Sequence, residues 1–145
     1  MEAAGREQLL AALNELLEAE RAGARVMLHT AREVDEALRP LARDIQHDEA
    51  HWCDVLGHAI QALQGTASRH TGAFYEKAMA IGEARARLAL VNRGQDWVVR
   101  RLDALLPLVT DATLREPLEA MRDAHRRNIQ RVAAQLETEP GSPAR

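Results

Sequence analysis

Aromatic residues are scarce in this chain: two Trp, one Tyr and one Phe among 145 residues. Val and Ile together supply only 12 more. Strands are built largely from β-branched and aromatic residues, so this poverty argues against a sheet-based fold. There is a single cysteine, Cys53, and hence no internal disulfide, which suits a reducing compartment. No apolar run reaches the roughly 18 residues of a membrane-spanning helix. The opening MEAAGREQLL lacks a basic stretch followed by an apolar one, so no secretory signal is expected. Together these make the cytoplasm the expected location. An excess of positive charge is also missing. Lys and Arg total 19 against 22 Asp and Glu, a net charge of −3. Nucleic-acid affinity comes mainly from phosphate neutralisation, so no nucleic-acid partner is expected, and none in a membrane. The pairs Arg100-Arg101 and Arg126-Arg127 read as solvated helix faces. No Gly-rich phosphate loop, Ser-His-Asp arrangement or Cys-x-x-Cys is present.

What is abundant is Ala and Leu, 27 and 19 residues, both strong helix formers. The chain is all-α by this measure. Turn signals divide it into four long pieces: Glu7 to Arg32; a second with Pro40 near its start, ending near Gly65; a third ending at Pro107; and a fourth from Asp111 to Leu136. Each carries apolar residues at alternating spacings of three and four, the seam of a helix packed in a bundle. The expected architecture is an antiparallel four-helix bundle, one domain over residues 1–138 with a frayed tail at 139–145. The connection between the second and third pieces has room for a short helix around Phe74–Lys77. Topology there stays open between up-down-up-down and one crossover.

Every seam is interrupted near its middle by a polar residue: Glu20, Glu49, Gln95 and His125. Glu20 and Gln95 lie about 13 residues before their turns, Glu49 and His125 about 15 after, a difference of about 3 Å in height. All four therefore point into one central layer. Buried polar groups need partners, so four helices placing them at one level is not an accident of composition.

This layout resembles the ferritin-like superfamily of four-helix bundles, over roughly residues 7–137. Such proteins bind two iron or manganese ions through one Glu from each of two helices and a Glu-x-x-His pair from each of the others. Glu20 matches the lone first-helix Glu, Asp48-Glu49 the Asp-Glu of the second helix, and His125 the fourth-helix His. DEAHWC and LVNRGQDWV are similar to an uncharacterised bacterial branch of that superfamily. Three ligand positions depart: Trp52 replaces a His, Gln95 a Glu and Arg122 a Glu. The resemblance thus implies an incomplete di-metal motif. Neither metal keeps a full shell, and Arg122 adds a charge that repels a cation. The expectation is a binding or structural protein that requires no cofactor, with Arg122 paired to Glu20 or Glu49 and Gln95 bonded to either. The alternative is an iron or manganese protein or oxidoreductase holding its ion on Glu20, Glu49 and His125.

Other candidates are weaker. His47 and His51 stand four apart on one helix face, a zinc-ligand spacing, with Asp44 and Asp48 near. Cys53 adjoins Trp52 with no residue placed to activate it, and reads as inert. Leu90, Trp97 and Ala104 recur at seven; they read as core residues of a broad apolar stripe, with a homodimer face as the alternative. The identity of any small ligand is not legible.

Overall fold

A computed structural model describes residues 3–138. Helix α1 runs Ala3–Glu33, α2 Arg39–Ala62, α3 Phe74–Met79, α4 Ala84–Leu105 and α5 Ala112–Leu136, with a 3-10 turn at Leu106–Leu108 between α4 and α5. The tail expected at 139–145 lies outside the described residues. Helix starts follow local chemistry. Pro40 sits in the first turn of α2, where its missing N–H costs nothing. Asp111 caps α5 by accepting from the Thr113 backbone N–H at 2.9 Å. Glu83 caps α4 by accepting from the Ala86 N–H.

The short helix expected near Phe74 is α3, and the connection that contains it settles the topology. It leaves α2 near the start of α1, where Arg6 donates to the Leu63 carbonyl at 2.8 Å. It then climbs α1 step by step. Asn14 accepts from the Ser68 backbone N–H at 2.7 Å, and Arg21 donates to the His70 carbonyl at 2.8 Å. Tyr75 and His29 pair at 3.3 Å higher still. The chain reaches α4 beside the far end of α1, where Arg85 meets Asp35 at 3.2 Å. So α2 and α4 run parallel, and the bundle is up-down-down-up with one crossover. Every neighbouring pair of long helices is nonetheless antiparallel. Arg101–Glu15 ties α4 to α1 at 3.1 Å and Arg131–Asp44 ties α5 to α2 at 3.0 Å.

The apolar interior is in two halves. One is built on Leu13, Leu56, Leu102, Leu118 and Met121, the other on Met27, Ile45, Leu88 and Val132. Between them lies the polar layer. A second buried charge, Arg87, closes the far end of the bundle. It donates twice to the Ile81 carbonyl, at 3.1 and 2.8 Å, and pairs with Glu33. Leu90 is buried, Trp97 is half-buried with the Arg101 guanidinium over its ring, and Ala104 is exposed. Leu90 belongs to one half of the core and Trp97 packs against the other.

Candidate functional site

Glu20, Glu49, Gln95 and His125 come together as the spacing predicts, one from each long helix, each at most 3 % exposed. Glu20 and His125 meet directly across the bundle. His125 Nε2 lies 2.5 Å from Glu20 Oε1, while its Nδ1 faces the Met121 carbonyl at 2.9 Å. Both atoms are buried without a hydrogen-bond partner: their separation is an ion-pair distance, and its angles are not those of a hydrogen bond. Burial by itself pushes the His125 pKa down. The charge of Glu20, its contact, the Met121 carbonyl and Asp48 outweigh that, and the net shift is upward. The ring is therefore biased toward imidazolium.

Glu49 is shifted by its burial. Burial raises its pKa well above the carboxylate range, and the charges of Glu20 and Asp48 add to that. Its carboxyl lies in a notch of α1. A Cβ on Gly23 would stand 2.1 Å from Glu49 Oε2, so a side chain there requires the Glu49 carboxyl to shift. Glu49 Oε2 and Gln95 Nε2 are both buried without hydrogen-bond partners, as is Trp52 Nε1. Trp52 packs its ring 6.5 Å from that of His125.

Arg122 corrects the expectation. It does not reach Glu20 or Glu49. Its side chain is partly exposed and pairs with Asp103 at 3.6 Å and Asp123 at 3.2 Å. One residue turns a helix by about 100°, so Arg122 stands off the seam that carries Met121 and His125. A short side chain could still lean inward; a guanidinium keeps its solvation by leaning out. Arg122 is therefore not part of the buried layer.

His47 and His51 are both exposed on α2, and two acids near them are engaged. Asp44 binds Arg131, and Asp48 accepts from Asn128 at 2.8 Å. Among the described residues no group of three or more His, Cys, Asp or Glu is placed to hold a metal ion, at this face or in the layer. The residues present do not fit a di-metal centre. Three of its six ligand positions are Trp52, Gln95 and Arg122, which bring an indole, a neutral amide and a cation in place of an imidazole and two carboxylates. Cys53 is half-buried, and burial followed by the charges of Glu20 and Glu49 pushes its thiol up to about 12.

Sequence reasoning missed three elements of the site. Gly23 is an isolated glycine within a helical pattern, a feature that usually has a packing reason, and that signal was readable. The partnership of Asp48 with the buried Asn128 links α2 to α5 beside the layer. The third is a cavity of about 300 Å³ between α1 and α4. Glu20, Glu49 and Gln95 line its inner side, and Thr71–Phe74 of the crossover line its mouth. No signal in the sequence marks it, because ties to α1 set the path of that loop.

Among curated proteins none matches the chain. Among solved structures the chain is similar to "Crystal structure of ferritin like, diiron-carboxylate proteins from Bacillus anthracis str. Ames", at 19% identity over 94% of this chain and 99% of that one, with a TM-score of 0.81. At that identity the likeness shows the fold, which is ferritin-like. Over residues 7–135 the sequence matches the family model described as Domain of unknown function (DUF6306), and the chain belongs to that family.

Proposed function

We propose that this protein is a binding protein whose central layer is neutralised by protons in place of a complete di-metal centre. The observation that carries the reading is the 2.5 Å approach of His125 Nε2 to Glu20 Oε1. In a di-metal bundle the carboxylates of this layer are balanced by cations. Here burial and the neighbouring acids raise the Glu49 carboxyl, Glu20 and the Met121 carbonyl raise the His125 imidazole against the pull of burial, and Gln95 brings no charge. Both shifts favour the protonated forms, which lowers the need of the layer for an ion.

A second reading has one observation in its favour. Glu49 Oε2 has no partner, and the similar solved structure is described as a diiron-carboxylate protein. On that reading the chain is an iron or manganese protein with a reduced ligand set. Elemental analysis of protein purified without chelators separates the two. The proposal expects far less than one iron or manganese per chain, and no rise in Tm when either metal is added. A ligand that binds the native state at 100 times its Kd would stabilise it by about 2.7 kcal/mol. Two ions per chain, or a rise of that size, would overturn the proposal.

A further inference from the structure

We infer that the outer side of the α1/α4 pair is the interface of a symmetric dimer, and that its occupant is a second copy of this chain. The inference is independent of what the buried layer holds. Leu108, at the end of the 3-10 turn, is 67 % exposed, more than any other large apolar side chain among the described residues. Beside it a groove of about 420 Å³ opens between α1 and α4. Buried Leu9, Leu16 and Leu105 line it, with Gln8, Ala12 and Ala104. Next along the same two helices, Arg101 pairs with Glu15 at 3.1 Å, and their side chains stay 43 % and 48 % exposed. Each has room for a further contact of opposite charge.

Register and charge together choose the symmetry. α1 and α4 are antiparallel, so with Arg101 level with Glu15, Ala104 is level with Ala12 and Leu108 about level with Gln8. A two-fold axis along the helices returns each level to itself and exchanges its two sides. The second copy's α4 then lies over α1, and its α1 over α4. Each Arg101 meets a Glu15 across the interface, so four charges alternate in sign. Ala104 meets Ala12, which lets the helices come close. Leu108 of each copy falls on the groove of the other, beside Gln8 and Ala12. An axis laid across the helices would instead set Arg101 on Arg101 and Glu15 on Glu15. Charge therefore selects the axis, and the seating of Leu108 follows from a choice in which it took no part. Thr71–Phe74 of the crossover line the next cavity along, beyond Trp97, and confine the contact to residues 5–15 and 101–108. That is about 15 Å of each helix, a small interface, so a Kd on the order of 10–100 µM is expected.

The test is sedimentation of the full chain at low salt, from about 1 µM to about 1 mM, a range that brackets the expected Kd. The mass is expected to rise from one chain to two and to stop there, because a two-fold contact closes on itself. Leu108→Asp should weaken association about tenfold or more, since it sets a charge on the apolar groove. Arg101→Glu and Glu15→Arg should each do the same, because both cross-contacts then join like charges. An equimolar mixture of the Arg101→Glu chain and the Glu15→Arg chain should recover the dimer, since every cross-contact is again Glu against Arg. No contact within a single chain predicts that recovery. All three side chains are exposed, so the variants are expected to fold, and circular dichroism checks it. Should a charge variant not fold, Leu108→Asp decides. A chain that stays monomeric to about 1 mM overturns the inference. So does a dimer that Leu108→Asp and both charge reversals leave unchanged, a mixture no more associated than its parts, or growth past two copies.

Discussion

Gly23 and Glu49 fit one another as notch and insert. The glycine lies one turn beyond Glu20 on α1, and the Glu49 carboxyl from α2 fills the space its side chain would take, with Oε2 2.1 Å from the position of a Cβ. In a helix interior Gly→Ala ordinarily stabilises by about 1 kcal/mol. Here Gly23→Ala is expected to destabilise by about 1–3 kcal/mol, the range for overpacking. Adding Glu49→Ala should restore the usual sign of the glycine substitution. Urea unfolding of the two single variants and the double measures this, and a stabilised Gly23→Ala would show that Glu49 moves aside freely.

His125→Leu leaves the Glu20 carboxylate buried without its cation. Breaking one partner of a buried pair costs about 3–5 kcal/mol. Glu20→Gln in the same chain should return a large part of that, because no charge is then stranded. Thermal unfolding at neutral pH is the measurement. Equal loss in the single and double variants would mean the two residues are not coupled.

Arg122→Leu is expected to change stability by no more than about 1 kcal/mol, because its partners are half-exposed acids on the surface of α4 and α5. A loss of several kcal/mol would return Arg122 to the interior.

Stability should fall as pH rises. Both shifted groups of the layer have folded pKa values above their ordinary ones, 4.5 for the carboxyl and 6.5 for the imidazole. The folded state then holds more protons than the unfolded state between the two values of each group. The Glu49 contribution is whole below pH 4.5 and is lost as pH climbs through its folded value; that of His125 is whole below 6.5 and is lost above it in the same way. Urea unfolding across pH 5 to 9 reads this, over a span of about four units. Glu49→Gln should remove the part of the slope that begins at the carboxyl. A Tm that rises steadily across that range contradicts the proton-closed layer.

Cys53 should resist alkylation. With its thiol near 12, the thiolate fraction at pH 8 is about one part in ten thousand. Iodoacetamide is expected to modify the native protein far more slowly than the protein in denaturant. Equal rates would place the thiol in water.

The helices and the polar layer were legible because both follow from spacing. Glu20, Glu49, Gln95 and His125 occupy seam positions, and the rise per residue fixes their heights. Arg122 misled because a family pattern names a position, whereas side-chain length and solvation decide which way it leans. The crossover was legible only as a connection of middling length. Its path depends on Asn14, Glu18 and Arg21, which hold it through contacts some fifty residues away in sequence. The cavity follows from that path and shares its illegibility. Gly23 was readable as an oddity, but the residue that fills its notch comes from another helix.

The division of the layer between two hairpins bears on the order of folding. α1 and α2 carry Glu20 and Glu49; α4 and α5 carry Gln95 and His125. Each hairpin closes through local contacts, which form fast, while the crossover must be spanned before the hairpins meet. Until then the first hairpin holds two acids with no imidazole between them. If the hairpins form before they dock, docking supplies the ring and removes the water together. Proton uptake then accompanies the last assembly step, and the refolding rate, as well as the final stability, is expected to depend on pH.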